Sequence, residues 1–253
     1  MLSDFGQVAI VVFIAMNCMF LLALVLKNNS IIDIFWGPGF SIIAVFLLFP
    51  FDSYGFAQLL FTALLTLWAA RLSLHIFLRN RGKAEDFRYA YWRKTWKHFI
   101  VRSYFQVFML QGFLMLVIAL PVIAFLTGSF FEITGFSWVG SIVFLTGFLM
   151  ESTADYQLKI FRQNAENKGN IIRTGLWNYS RHPNYFGEAL LWWGLWIYSV
   201  HGTPWYITII SPVAITLLVR FVSGVPMLEN KYRMHPEWAD YCSKTPVFIP
   251  RFR

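Results

Sequence analysis

The sequence predicts an all-α integral membrane protein with seven transmembrane helices. Its 253 residues are 57% hydrophobic and only 13% charged, whereas a typical soluble domain carries about 25% charged residues. A transmembrane helix needs about 20 mostly apolar residues. The segments predicted to span the membrane are 6–26, 31–50, 56–78, 104–127, 136–158, 189–201 and 204–223.

The first apolar segment is predicted to be a span and not a cleaved signal peptide. The run from Val8 to Leu26 is too long for the apolar part of a signal peptide, and no basic residue precedes it. Neither an internal repeat nor a low-complexity linker divides the chain. We therefore expect one membrane-embedded domain over residues 1–253.

The distribution of Lys and Arg predicts that the N-terminus is outside and the C-terminus is inside. The loops then placed outside, 51–55, 128–135 and 202–203, contain no Lys or Arg. Basic residues instead cluster on 79–97, on 162–181 and after the last span, as is typical of cytoplasmic segments. An odd number of spans, such as seven, is required by this orientation.

Several classes of site are not indicated by the sequence. Cys18 and Cys242 lie far apart, so neither a disulfide nor a cysteine metal site is expected. The histidines are scattered without metal-ligand spacing, and there is no GxGxxG or Walker loop. The net charge of +8 is explained by the cytoplasmic loops, so nucleic acid is not an expected partner.

Ionisable residues inside the predicted spans are candidates for function because a charge in the bilayer is costly. They are Asp33, Arg71, His75, Glu151, Asp155 and Arg220. Structural alternatives remain open, namely snorkelling for the arginines, packing for the histidine, and ion pairing for Glu151 and Asp155. Asp33 precedes "IFWGPGF", whose Gly and Pro residues predict an irregular backbone of the kind that lines a cavity in membranes.

These residues fall in the cytoplasmic half of the predicted spans, and we expect them to line a polar cavity open to the cytoplasm. Basic residues beside such a cavity suit a phosphorylated or carboxylate-bearing cofactor, because an Arg fork binds phosphate in a bidentate manner. Tyrosines and tryptophans in the same loops can stack on an aromatic ring of a ligand.

The stretch "GLWNYSRHPNYFGE…WWG" resembles the C-terminal region of two groups of membrane enzymes. One is the steroid 5α-reductase and sterol reductase group, which uses NADPH. The other, more distant, is the isoprenylcysteine carboxyl methyltransferase group, which uses S-adenosylmethionine. The chain as a whole resembles the bacterial branch often called the DUF1295 family. The resemblance is strong over about 150–250, weaker over 31–105, and absent from the first span.

Two residues of this stretch distinguish the cofactors. Both groups share the pattern SRHPxYxG, which includes Arg181, His182 and Tyr185. Asn184 and Glu188 match the reductases, in which these residues lie at the nicotinamide end of the pocket, whereas the methyltransferases usually have neither. The resemblance therefore implies NADPH.

The resemblance implies further cofactor residues, mainly in a cofactor half of about 79–253. The segment "DYQLKIFRQ" is similar to one that contacts the cofactor, and "RNRGK" is similar to one near its phosphates. We expect Arg173 to hold phosphate as well, and the C-terminal segment to close the site. With Arg71 and His75 from the polar cavity, the predicted cofactor residues are Arg81, Lys83, Asp155, Arg162, Arg173, Arg181, His182, Asn184, Tyr185, Glu188, Glu229, Tyr232 and Tyr241.

The sequence departs from the steroid reductases at the substrate end. Those enzymes polarise the steroid carbonyl with a Gln-Glu pair in the second span and a Tyr in the third. Here the second span offers Asp33 alone, and the third has Trp68 and Ala69 at the corresponding place. Asp33 and Glu188 are the predicted catalytic residues, with Asp33 as the acid if burial keeps it protonated.

The expected function is NADPH-dependent reduction of a lipophilic enone, such as a 3-oxo-4-ene steroid, that enters from the bilayer. The alternatives are an S-adenosylmethionine-dependent membrane methyltransferase and a non-enzymatic lipid-binding or transport protein. In each case we expect a multi-pass protein of the bacterial inner membrane, in contact with lipids and without a metal. The cofactor site is expected on the cytoplasmic side.

Overall fold

A computed structural model describes residues 2–49, 54–128 and 132–251, which contain helices and no strands. The helices before residue 130 are α1 (Leu2–Leu26), α2 (Ile31–Leu48), α3 (Phe56–Asn80), α4 (Phe87–Thr95), α5 (Phe99–Ser103), a π-helix (Tyr104–Met109), α6 (Leu110–Ile118) and α7 (Leu120–Leu126). Those after it are α8 (Gly135–Gln163), two 3₁₀ turns (Ala165–Asn167 and Gly175–Asn178), α9 (Pro183–Ser199), α10 (Trp205–Thr208), α11 (Ile210–Leu217), a π-helix (Leu218–Val222), α12 (Val225–Tyr232) and α13 (Trp238–Lys244).

Six helical segments within the described ranges are long and apolar enough to cross a membrane. They are Ser3–Leu26, Ile31–Leu48, Phe56–Asn80, Phe99–Ile118, Gly135–Gln163 and Trp205–Asn230. The predicted all-helical fold with several helices able to span a membrane is thereby confirmed. The predicted span 189–201 lies largely within α9, whose 17 residues extend for about 25 Å. The seventh span and the orientation stay predictions, and the loops 51–55 and 128–135 lie partly outside the described residues.

The chain forms two compact units, each built from two separate stretches. Unit 1 comprises Met1–Thr134 and Ser199–Ile210, and unit 2 comprises Gly135–Tyr198 and Ser211–Arg253. The single domain over residues 1–253 stays a prediction.

In unit 1, α2 is a continuous helix through Pro38, which corrects the irregular backbone expected there. Proline has no N–H, so it leaves the carbonyl four residues earlier without its helical donor. The Ser73 hydroxyl of α3 donates to that carbonyl, the one of Ile34. A Cβ atom at Gly37 would lie 2.5 Å from the Ala69 carbonyl oxygen. The glycines of α2 thus allow close packing and do not break the helix.

The predicted span 104–127 is divided and begins earlier in the chain. The membrane-length segment starts at Phe99 and ends at Ile118. A separate helix, α7, follows from Leu120 with Pro121 in its first turn. Proline is tolerated in a first turn because the N–H groups there have no helical partner. Pro121 therefore starts a new helix where the apolar pattern alone indicated a continuous one.

In unit 2, α8 and α9 are antiparallel and meet at four glycines. Gly140 and Gly147 on α8 are seven residues apart, as are Gly187 and Gly194 on α9. A Cβ atom at these positions would lie 2.4 to 2.6 Å from a backbone nitrogen of the opposite helix. Small residues allow such backbone contact between membrane helices. The contact sets Gly187 of the SRHPNYFG stretch against Glu151 of α8.

Replacing one of these glycines by alanine is expected to destabilise the protein. In Gly194→Ala the methyl group meets the Phe144 backbone nitrogen at 2.4 Å, which a side-chain movement cannot relieve. We expect a loss of about 2 kcal/mol or more and a lower Tm of purified protein in detergent. Gly135→Ala is the matched control, since a Cβ atom there has nothing within 4 Å. Equal Tm values for the two variants would contradict the proposed helix contact.

Candidate functional site

Unit 2 contains a cavity of about 490 Å³ beside the C-terminal end of α8. Its walls come from α8, the segment 164–172, the start of the SRHP stretch, α12 and α13. The lining residues are Leu158, Phe161, Arg162, Asn164, Ala165, Asn167, Lys168, Gly169, Asn170, Ile171, Ile172, Trp177, Arg181, His182, Leu228, Tyr232, Trp238 and Tyr241.

The segment after α8 forms one wall through local hydrogen bonds. The Asn167 side chain donates to the Phe161 carbonyl oxygen at 3.0 Å, which turns the chain at the end of the helix. Gly169 has a φ of 90°, a conformation that glycine adopts without strain. Farther on, the Trp177 indole donates to the Ala154 carbonyl oxygen at 3.1 Å. These bonds fix the loop against α8 and expose its polar side chains to the cavity.

The cavity combines aromatic walls with positive charge. Phe161, Trp177, Tyr232, Trp238 and Tyr241 are its aromatic residues, and no Asp or Glu belongs to its lining. Its cations are Arg162, Lys168 and Arg181. Arg162 and Lys168 make no ion pair within the part of the chain that the structure describes. Such a lining suits an anionic ligand that carries a flat ring.

Arg181 of the SRHP stretch holds the C-terminal helices in place. Its Nε and Nη2 donate to the two carboxylate oxygens of Glu229 at 2.8 and 3.1 Å. Its Nη1 donates to the carbonyl oxygens of Thr245 at 3.0 Å and of Cys242 at 3.3 Å. Because Glu229 belongs to α12 and the carbonyls lie at the end of α13, one guanidinium joins both helices to the start of α9.

His182 is held in one neutral tautomer. Burial lowers the pKa of His182, and the bond to Glu229 offsets this only in part. Its Nε2 lies 3.1 Å from Glu229 Oε1, an acceptor paired with Arg181, so Nε2 carries the proton. The Nδ1 atom is then a buried acceptor with no partner among the described residues.

The two residues that distinguish the cofactors lie near α8 but not in the cavity lining. The Asn184 side-chain nitrogen donates to Asp155 Oδ1 at 3.0 Å, while its Oδ1 is buried with no partner in the described ranges. Glu188 follows one turn later on α9. Tyr185 stacks on His182 with ring centroids 5.9 Å apart. Asn184, Tyr185, Glu188 and Asp155 are thus close in the fold to His182 without lining the cavity.

Five predicted cofactor residues line the cavity, and two others support it. The lining members are Arg162, Arg181, His182, Tyr232 and Tyr241. Glu229 bonds to two of them. Arg173, expected to hold phosphate, does not line the cavity and instead pairs with Glu237 and Asp240. This ion pair joins the segment 169–173 to α13.

The remaining predicted residues belong to unit 1. Arg71 and His75 lie on α3, and Arg81 and Lys83 follow its end. Asp33 accepts hydrogen bonds of 2.7 Å from both Arg88 Nη2 and the Tyr89 hydroxyl. It is therefore ion-paired with Arg88 and hydrogen-bonded to Tyr89. Its catalytic role stays a prediction.

Sequence reasoning missed Arg88 and Tyr89 as partners of Asp33. Burial raises the pKa of Tyr89, and the Asp33 carboxylate adds to this, so the phenol is protonated at neutral pH. Arg88 also bonds to Asp86 at 2.8 Å. Burial opposes ionisation of Asp86, but the bonds from Arg88 outweigh it and lower the pKa of this carboxyl. The only indication of these partners in the sequence was the run "EDFRY", which places polar residues beside a predicted span.

The cavity residues Lys168, Trp177 and Trp238 were also missed individually. The alternation of aromatic and charged residues in their segments was the available signal. No group of three or more His, Cys, Asp or Glu in the described ranges is placed to hold a metal ion. Both cysteines are free thiols.

Comparison with known proteins places the chain in a family. A family model described as "Protein of unknown function (DUF1295)" matches residues 19–245. The chain belongs to the DUF1295 family. The family resemblance inferred from the motifs is thereby confirmed, while the likeness to steroid reductases stays a prediction.

One relative of this DUF1295 protein is an uncharacterised protein of Schizosaccharomyces pombe. It is 27% identical over 257 residues, which cover 89% of this chain and 73% of the relative. No solved structure matches the chain.

Substitution of Arg181 in this DUF1295 protein is expected to loosen its C-terminal helices. Lysine keeps the charge but cannot reproduce the fork to Glu229 together with the bonds to both carbonyls. We expect Arg181→Lys to cost about 2 kcal/mol, and to speed trypsin cleavage within 233–251. Arg251→Lys is the control, because Arg251 is exposed and both changes preserve a trypsin site. If the two variants were cleaved at the same rate, the anchoring role of Arg181 would be refuted.

Protonation of His182 is expected to destabilise the fold at acid pH. Its folded-state pKa is lowered, so the unfolded chain takes up the proton first, near the ordinary value of about 6.5. Stability is therefore complete above about pH 6.5 and falls as pH drops through the lower folded-state pKa. We expect Tm to fall more steeply between about pH 7 and 5 for the wild type than for His182→Gln. Parallel curves would contradict a buried neutral imidazole.

Proposed function

We propose that this DUF1295 protein is an NADPH-dependent reductase of a lipophilic enone, with a 3-oxo-4-ene steroid as the model substrate. The observation that supports it most is the cavity of unit 2. It carries two cations without an ion pair in the described residues, no carboxylate in its lining, and aromatic walls.

The residues of the cavity fit a dinucleotide phosphate. Its volume of about 490 Å³ lies in the usual range for small-molecule sites, about 300 to 1,000 Å³. Arg162 and Lys168 offer charge for phosphate, and the aromatic residues offer faces for stacking.

The charge of the cavity also favours NADPH over S-adenosylmethionine. NADPH is a polyanion, whereas S-adenosylmethionine has no phosphate and carries a positive sulfonium group. A lining with Arg and Lys but without Asp or Glu opposes a cationic ligand. The Asn184 and Glu188 signature supports the same choice through the resemblance to the reductases.

Reduction of an enone consumes a hydride and a proton, and bound NADPH supplies the hydride for the β-carbon. In this proposal Arg162 and Lys168 bind phosphate, and Asn184 and Glu188 orient the ring that carries the hydride. The sequence predicts Asp33 as the source of the proton, and in unit 1 this side chain accepts the Tyr89 hydroxyl at 2.7 Å.

The number of spans and their orientation in the membrane are also part of this proposal. Counting α9 as a short span gives seven spans, with the N-terminus outside and the C-terminus inside. The basic residues of the cavity then face the cytoplasm of a bacterium, where a soluble cofactor is available.

The proposal is tested by calorimetry on purified protein with NADPH and, separately, S-adenosylmethionine. We expect NADPH to bind and the double substitution Arg162→Ala with Lys168→Ala to weaken it by about tenfold or more, since bonds to charged groups contribute about 1.5 to 3 kcal/mol. Lys159→Ala is the control, because Lys159 is exposed on the same helix and does not line the cavity. Binding of S-adenosylmethionine alone would overturn the reductase proposal.

Turnover is measured as loss of NADPH in the presence of a 3-oxo-4-ene steroid. Asn184→Ala and Glu188→Ala are each expected to lower the rate. If NADPH binds but no enone is reduced, the substrate class is wrong and the cofactor assignment stands.

A further inference from the structure

A basic and aromatic surface lies at the point where the chain enters a membrane-length helix. Helix α4 ends at Thr95, and the segment Phe99–Ile118 begins after a short turn. We define the α4 surface as Phe87, Tyr91, Lys94, Trp96, Lys97 and Arg102. Because the span starts between Lys97 and Arg102, this surface is held by the chain itself at the level of the lipid headgroups.

The cations of this surface are left without ion pairs because the nearby acids are already engaged. Glu85 pairs with Arg93 at 2.8 Å, and Asp86 pairs with Arg88 at 2.8 Å. The sequence contains no Asp or Glu from residue 87 to residue 131. Lys94, Lys97 and Arg102 are exposed and have no ion pair among the residues that the structure describes. These three cations are therefore available to an anion from outside the chain.

The same surface exposes apolar rings. The exposed fractions of Phe87 and Tyr91 are 70% and 64%, and these residues lie one turn apart on α4. Trp92 and Trp96 stack with centroids 4.8 Å apart, and the Arg102 guanidinium lies 5.2 Å from the Trp96 ring centroid. Aromatic rings beside Lys and Arg are typical of segments that lie at the membrane interface.

We infer that the α4 surface binds the phosphate headgroups of anionic phospholipids. Lys94, Lys97 and Arg102 contact the phosphates, while Phe87, Tyr91 and Trp96 insert among the adjacent acyl chains. A purely zwitterionic lipid would satisfy the rings but leave the charge unbalanced. The site requires neither NADPH nor the cavity of unit 2.

The preference for an anionic headgroup is tested on the full-length protein in detergent micelles. Brominated phosphatidylglycerol and brominated phosphatidylcholine are added separately, and quenching of tryptophan fluorescence gives their relative affinities. We expect phosphatidylglycerol to bind more tightly to the wild type. The triple variant K94Q/K97Q/R102Q is expected to lose at least about tenfold of that preference, since each cation contributes about fivefold near an anionic surface.

The matched control removes the same charge from other exposed positions, as K159Q/R233Q/R251Q. It is expected to retain the wild-type preference. An equal loss in both triple variants would show a response to net charge only and overturn the inference, as would a wild type that binds both lipids equally.

Salt provides a second measurement that needs no variant. An electrostatic headgroup site is expected to lose its preference for phosphatidylglycerol as ionic strength rises from about 0.05 to 0.5 M, because exposed charges are screened over that range. A preference that is unchanged by salt would contradict phosphate recognition by these cations. Circular dichroism and gel filtration confirm that the triple variants are folded.

Discussion

The backbone contact between α8 and α9 is the constraint on which the rest of unit 2 depends. At four glycines the two helices approach so closely that a Cβ atom would clash with the opposite backbone. This approach sets the start of α9 against the end of α8, so that Asn184 reaches Asp155. The SRHP stretch then lies beside α8. The loop that connects α8 to α9 forms part of the cavity wall. A side chain larger than hydrogen at these positions would separate the elements that carry the site.

The SRHP stretch anchors the C-terminal helices and also lines the cavity. Arg181 uses its donors on Glu229 and on two carbonyls of the C-terminal segment, so its charge is largely compensated within the fold. The adjacent His182 shares Glu229 but keeps a buried acceptor without a protein partner. Sequence similarity gives both residues equal weight, whereas the bonding pattern separates Arg181, whose donors are used within the fold, from His182, which has an unpaired ring nitrogen in the described residues. The open charge of the cavity belongs instead to Arg162 and Lys168.

Unit 1 shows how a membrane helix accommodates a carboxylate. Asp33 lies in the first turn of α2, and α4 supplies both an ion-pair partner and a hydroxyl donor to it. The charge is thereby compensated, which removes most of the cost of placing it in a membrane helix. The same arrangement commits the single O–H of Tyr89 to Asp33.

The sequence by itself determined the helical membrane class. Long apolar segments with few charges favour the bilayer, where a helix satisfies the backbone polar groups internally. It also determined the family, since SRHPNYFGE and its flanks are local patterns, and five of the predicted cofactor residues do line one cavity. Only the tertiary structure decided that Arg173 pairs with Glu237, that Asp33 pairs with Arg88, and that Pro38 lies inside a helix while Pro121 starts one. These outcomes depend on partners far away in the chain. The hydroxyl of Ser73, which compensates for the proline in α2, is 39 residues from its acceptor. Periodicity and composition report which residues are buried or charged, but a hydrogen-bond partner is chosen by distance in the folded protein.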